Sequence, residues 1–233
     1  MRGFEAAGEH LAIALPGGRA RFTTRRGGVS EGPYASLNLG SWTDDEPGRV
    51  EENRRRAAAI AGGARLAQGH QVHGTRVDTV RAPPAQPADA DGQATAARDL
   101  APIVLVADCL PVALIAPGAV AMVHAGWRGL AGGVLESGVR AVRELAPGAA
   151  LAAAIGPGIG PCCYEVGEEV HAALGTSGRT ADLKAVAAER LRAAGVAQIH
   201  DCGLCTACEP ARFFSHRRDR GVTGRQAGIA WLS

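Results

Sequence analysis

Three apolar runs lie close together in the middle of the chain: residues 103–107, 112–116 and 120–124. Each has strand length, is rich in Val, Ile, Leu and Ala, and ends at a turn signal, which is the pattern of a strand buried in a core. The first leads into Asp108-Cys109, and the third ends on His124, followed by Ala125-Gly126-Trp127-Arg128-Gly129. The longest apolar stretch, residues 103–117, is broken by Asp108 and Pro111, well short of the ~20 residues a lipid-spanning helix needs. The N-terminal segment lacks the apolar core and cleavage pattern of a secretory signal, and a cytoplasmic location is expected. In that compartment the six cysteines are thiols rather than a disulfide framework.

Around this centre the pattern is mixed. Residues 11–24 read as strand and close on the Gly-rich turn Thr23-Thr24-Arg25-Arg26-Gly27-Gly28-Val29-Ser30. Residues 46–62, with an Ala stripe and alternating charges, read as helix. Strand signals return at 67–72 and 77–80, and the Pro-, Ala- and Asp-rich residues 82–98 read as a surface excursion. Leu130, Val134, Leu135, Val139 and Val142 give one helix over residues 130–145. A short strand over 151–155, helices over 166–174 and 181–194, and a final strand complete the chain. Strands and helices without strict alternation favour an α+β fold, and 233 residues of globular composition suit one domain.

Charge narrows the chemistry. The net charge is +2, too close to neutral for a large nucleic-acid footprint. Of the 25 basic residues only Lys184 is lysine, and no Gly-rich phosphate loop precedes it, so arginine forks or backbone amides must hold any phosphate. Gly156-x-Gly158-x-Gly160 is interrupted by Pro157 and Pro161 and does not match a dinucleotide fingerprint. Three strand exits stand out: Gln71-Val72-His73-Gly74, Ala107-Asp108-Cys109 and the His124 segment. Two imidazoles and a thiol are a three-ligand set for zinc with one open position. The same residues with Met122 as a fourth ligand would imitate blue copper, although seven histidines are too few for a multicopper enzyme. A third possibility is a nucleophilic Cys109 with a histidine base, and a fourth is a binding module without turnover. Cys202-x-x-Cys205-x-x-Cys208 has metal-like spacing but no nearby fourth ligand, and reads as buried thiols. Cys162 and Cys163 read as packing beside the Gly/Pro turn.

Taken together these segments resemble one family. They are Thr24-Arg25-Arg26-Gly27-Gly28, Leu37-Asn38-Leu39-Gly40, Gln71-Val72-His73-Gly74, Ala90-Asp91-Gly92, Ala107-Asp108-Cys109-Leu110-Pro111, His124-Ala125-Gly126-Trp127-Arg128-Gly129, Cys162-Cys163-Tyr164-Glu165-Val166, Phe214-Ser215-His216-Arg217-Arg218-Asp219 and Thr223-Gly224-Arg225. Their order over nearly the whole chain is similar to the purine nucleoside phosphorylases once labelled laccase-domain proteins, which include a peptidoglycan editing factor. The resemblance implies a single α/β/β/α layered domain with mixed sheets. It implies zinc at His73, Cys109 and His124, with copper the less favoured metal, and substrate contacts from Arg25, Asn38, Gln71, Arg128 and Arg217. The implied partners are a purine nucleoside and phosphate, with no nucleic acid and no membrane. The implied reaction converts adenosine, inosine or methylthioadenosine to base and ribose 1-phosphate, and adenosine deamination is attributed to the same family. For deamination Asp108 is the expected proton carrier. The editing-factor branch implies instead a Cys109-dependent hydrolase of mis-built cell-wall precursors. His216, where many members have Tyr, and the extra imidazole His70 depart from the family pattern.

Overall fold

The computed structural model describes residues 3–233. The chain opens with β1 (Glu5–Ala7), β2 (His10–Leu15) and β3 (Gly18–Phe22), then α1 (Pro47–Ile60), β4 (Arg65–Ala67), β5 (Val77–Thr79), β6 (Gly92–Thr95) and β7 (Leu100–Val106). It continues through β8 (Leu110–Ala116), β9 (Ala119–Ala125), α2 (Trp127–Gly132), α3 (Val134–Leu145), β10 (Ala152–Ile155), α4 (Glu168–Leu174), α5 (Leu183–Ala193), β11 (Gln198–Asp201) and β12 (Gln226–Leu232). The strands make two six-stranded sheets, ordered β1-β2-β3-β12-β7-β4 and β11-β10-β8-β9-β6-β5. Both are mixed: β4 runs parallel to β7, β5 to β6 and β10 to β11, while the remaining pairs are antiparallel.

The three central runs become β7, β8 and β9, and every residue of each is buried. Their alternate side chains point to opposite faces. Ala113, Ile115, Val120 and Met122 meet Phe22, Val104 and Val106 in the core between the sheets. Val112, Leu114, Ala121 and Val123 face the opposite way, against Leu135, Val139 and Val142 of α3 and Leu191 of α5. Each fully buried Val, Leu, Ile or Met side chain of this set contributes roughly 1.5–3 kcal/mol. Leu37, Leu39 and Ala57 cover the outer face of the first sheet. Helix, sheet, sheet and helix therefore stack in that order, the α/β/β/α layering expected.

Three local expectations are corrected, and one strand was not foreseen. Residues 130–145 are not one helix, because Gly133 adopts φ 96° and separates α2 from α3. Residues 67–72 are not a strand beyond Ala67; the chain leaves the sheet, and His70 makes only an isolated bridge to Asp89. Residues 82–98 are not wholly a surface excursion, since β6 lies within them and is buried throughout. Residues 198–201, without an apolar pattern, pair with β10 as an edge strand.

Candidate active site

His73 lies in the loop between β4 and β5, Cys109 in the connection from β7 to β8, and His124 near the end of β9. The two hairpin-paired strands β8 and β9 place Pro111 opposite His124, which brings the Cys109 turn to the same end of the sheet. The metal-capable atoms of His73, Cys109 and His124 all lie within 4.8 Å of one another. His73 Nε2 is 3.8 Å from Cys109 Sγ, and the two imidazole rings meet edge to face at 4.9 Å. A tetrahedral ion with bonds of ~2.0 Å to nitrogen and ~2.3 Å to sulfur spans similar separations. His73 and Asp108 hold left-handed backbone, φ 59° and 94°, at the two turns that aim these donors. For non-glycine residues that conformation costs of order 1–3 kcal/mol each and is concentrated at functional sites.

Asp91, fully buried just before β6, organises the donors. Its Oδ2 accepts from the Gly74 amide at 2.7 Å and the Val72 amide at 3.2 Å, and its Oδ1 accepts from the His73 amide at 3.0 Å. His124 Nδ1 donates to the same Oδ1 at 2.7 Å. That bond fixes the imidazole tautomer and leaves the other ring nitrogen for an ion or for the thiol. Burial works to raise the Asp91 pKa, but His124 and the backbone amides outweigh it and hold the carboxyl below its ordinary range.

Burial likewise pushes the Cys109 thiol up, and the neighbouring His124 and then His73 outweigh it, bringing the pKa down to about 6. For His124 burial favours the neutral ring, yet the Cys109 thiolate and Asp91 raise it to about 9. The trio is therefore disposed to present a deprotonated sulfur. That fits a metal ligand, and it also fits a nucleophile.

A cavity of about 500 Å³ opens over these residues, within the usual ~300–1,000 Å³ of small-molecule sites. Trp127 and Tyr164 supply aromatic surface, and Arg128, Arg217 and Arg225 supply positive charge. The Arg128 guanidinium stacks over Trp127 at 4.3 Å and has no acidic partner among the described residues. Arg217 stacks over Tyr164 at 5.2 Å and donates from Nη1 to the Glu165 carbonyl. Burial, then the Cys109 charge, pushes the Tyr164 hydroxyl up to about 12, so it keeps its proton.

Of the residues expected to touch substrate, Gln71, Arg128 and Arg217 line this cavity. The Gln71 amide is engaged at both ends with the Leu105 backbone, at 2.8 Å each. Arg25 and Asn38 do not line it. Arg25 donates to the carbonyls of Ala35 and Pro210 and lies over Phe214. Asn38 is fully buried, tying Thr43, Asp45 and the Arg225 amide together. Asp108 does line the cavity, with Oδ1 accepting from Thr206 Oγ1 at 2.6 Å and Oδ2 from the Arg217 amide at 2.7 Å. Of the two departures from the family pattern, His216 lines the cavity, while His70 does not: it pairs with Asp89 and meets edge-on Trp42, which is at the cavity's lining. Tyr164 and Arg225 were given no role in the sequence, though both stand inside motifs that carried the resemblance.

Gly126, at the junction of β9 and α2, leaves room for the donors. A Cβ there would sit 2.9 Å from His73 Cδ2 and 3.1 Å from Cys109 Sγ. Gly126→Ala is expected to displace the His73 ring and weaken metal binding about 10–100-fold, measurable by competition with a chromogenic chelator. Unchanged affinity would show that the trio has slack.

A family described as multi-copper polyphenol oxidoreductase laccase matches residues 19–233. A Pseudomonas aeruginosa protein named purine nucleoside phosphorylase is 42% identical over 231 residues, covering 92% of this chain and 93% of that protein. The Escherichia coli protein YfiH, with the same functional name, is 40% identical, with 90% and 92% covered. Among solved structures, YlmD from Geobacillus stearothermophilus superposes with a TM-score of 0.89 at 36% identity, covering 98% of this chain and 97% of that one. Protein NMB0706 of Neisseria meningitidis gives 0.86 at 35% identity, with both chains fully covered.

Proposed function

Because the chain belongs to the multi-copper polyphenol oxidoreductase laccase family, whose relatives at about 40% identity carry the name purine nucleoside phosphorylase, we propose that it is a metal-dependent purine nucleoside phosphorylase. The observation that supports this most is the His73, Cys109 and His124 trio facing a cavity that also holds aromatic faces and guanidinium groups with no acidic partner among the described residues. The proposed substrates are adenosine, inosine and methylthioadenosine with phosphate, and zinc suits the mixed nitrogen and sulfur donors. When bound there, zinc supplies a Lewis acid at the cavity floor.

The chain's own residues do the rest. Arg128, Arg217 and Arg225 gather phosphate and hold it where one oxygen can reach C1′ of the ribose. As that C–O bond forms, the bond from C1′ to the purine nitrogen breaks and its electron pair leaves with the base. Positive charge developing on the ribose is met by the phosphate dianion. Trp127 and Tyr164 give the planar base apolar cover, and Tyr164 remains a neutral donor for the charge on the departing purine. The test is incubation of metal-quantified protein with inosine. Hypoxanthine and ribose 1-phosphate should appear together and only with phosphate; hypoxanthine without phosphate would overturn phosphorolysis.

Arg128 is the fork with the fewest commitments to the protein. Arg128→Ala is expected to raise KM for phosphate about 10–100-fold, the equivalent of a charged hydrogen bond of ~1.5–3 kcal/mol. The KM for nucleoside should move far less, and equal changes in both would remove Arg128 from the phosphate site.

Adenosine deamination is proposed as a second activity, with Asp108 carrying the proton. Asp108→Asn should lower deamination by more than about tenfold, ~1.4 kcal/mol of barrier. A smaller loss restricts Asp108 to holding Thr206 and the Arg217 backbone.

One observation supports a second reading. Asp91, His124 and Cys109 line up as carboxylate, imidazole and thiol, the order of a cysteine hydrolase. On that reading chelators leave activity intact and an acyl group can be trapped on Cys109. Oxidase chemistry at several coppers has less support: among the described residues only His73, His124 and His216 bring imidazole to the cavity. Met122, the axial ligand it would call on, packs in the core between the sheets, under Gly228.

A further inference from the structure

We propose that Cys162, Cys163, Cys205 and Cys208 bind a second ion, a structural zinc, that clips the turn after β10 to the turn after β11. Their four sulfur atoms all lie within 4.8 Å of one another. Cys208 Sγ is 3.4 Å from Cys162 Sγ and 3.4 Å from Cys163 Sγ. Four thiolates around one ion at ~2.3 Å stand roughly 3.8 Å apart, a value between the two 3.4 Å contacts and the 4.8 Å within which the whole set lies. Such short distances suit one shared ion. An iron–sulfur cluster spreads its four thiolates over two or four irons and needs the set further apart.

The sequence groups Cys202 with Cys205 and Cys208, and the fold corrects that grouping. Cys202 is buried away from the cluster, and its burial pushes the thiol up to about 11. The two missing ligands, Cys162 and Cys163, come from 42 to 46 residues earlier. Parallel pairing of β10 with β11 delivers them, extended by the bridge from Gly158 to Cys205 and the bond from the Thr206 amide to the Gly158 carbonyl. The backbone supports the sulfurs as well: the Gly160 amide donates to Cys205 Sγ at 3.2 Å. A Cβ on Gly160 would lie 3.2 Å from Cys162 Sγ and 3.3 Å from Cys205 Cβ, so glycine is what lets this amide come so close. Four thiolates around a divalent ion leave a net charge of −2. Lys184, the only lysine, shares a surface groove with Cys162 and Cys205, and its ammonium donates to the carbonyls of Gly158 and Leu204.

Four protein ligands close the coordination shell, so this ion has a structural role and offers no place for substrate. Its position still bears on the cavity. Cys163 precedes Tyr164, which lines the cavity, and Cys205 precedes Thr206, which holds the Asp108 carboxylate. Clipping the two turns fixes both.

The test is zinc content of protein purified under reducing conditions without a histidine tag. About two zinc ions per chain are expected in the wild type and about one in Cys205→Ser/Cys208→Ser. The His73→Ala/Cys109→Ala variant should also keep about one, and replacing it with cobalt should give the intense sulfur-to-metal bands of a four-thiolate site. That spectrum decides the matter even if Cys205→Ser/Cys208→Ser does not fold. Because it uses protein with the first site removed, it is independent of the proposed phosphorolysis. A His73→Ala/Cys109→Ala protein with no metal and four freely alkylated thiols would overturn the clip. A mass lowered by disulfide formation among the four, or iron in place of zinc, would overturn the assignment as well.

Discussion

Replacing His73 with alanine should lower kcat/KM for inosine phosphorolysis by about a thousandfold, of order 4 kcal/mol of transition-state stabilisation, and should remove one zinc ion per chain. Cys109→Ser should do the same. The two substitutions are informative together because the readings of the site treat them differently. Cys109 is essential both as a metal ligand and as a nucleophile. His73 stands outside the line from Asp91 through His124 to Cys109, so a thiol hydrolase would lose only support from its removal. A large loss on both variants with loss of metal favours the metal centre. A loss on Cys109→Ser alone favours the nucleophile. The side chain of His73 lies in a cavity wall, not in the inter-sheet core, and its variant should fold.

Asp91→Ala should be the most damaging single substitution for stability near the site, about 3–5 kcal/mol, or a melting temperature lower by roughly 10 °C. The carboxylate serves three backbone amides and the His124 ring while fully buried. Alanine leaves those amides without partners, each at ~1–3 kcal/mol. It also frees the imidazole to turn, which should weaken metal binding about 10–100-fold. The pH dependence has a definite sign. A carboxyl held below its unfolded value of ~3.9 contributes its stability fully above that pH and loses it as pH falls through the lower folded value. The difference in melting temperature between wild type and Asp91→Ala should therefore shrink progressively as pH falls below about 4. A constant difference down to pH 2 would show that packing, not charge, holds the segment.

The sequence carried the central strands openly, because residues buried on both faces must be apolar in unbroken runs. The layered arrangement and the trio came through motif order. His73, Cys109 and His124 have no short-range spacing that links them. The segment around Asp91 stayed opaque for a physical reason. In β6, Gly92, Gln93 and Thr95 are buried without apolar side chains, so hydrophobic periodicity has nothing to register. The cysteine cluster was hidden differently. Which thiols meet depends on the pairing of β10 with β11, and β11 reads Gln-Ile-His-Asp, an edge strand with little apolar character. Arg25 and Asn38 show that motif membership does not by itself place a side chain in the cavity. They belong to motifs as firmly as Arg225 does, but their polar groups hold the neighbouring turns together.

The two turns at His73 and Asp108 pull durability and chemistry in opposite directions. Both hold a side chain where an unsubstituted backbone would rest more easily. A laboratory search that rewards heat tolerance alone should therefore accumulate glycine or asparagine at position 73, yielding hardier and inert descendants, whereas Asp108 is kept by the two hydrogen bonds its carboxylate accepts. Selection for turnover has to run alongside.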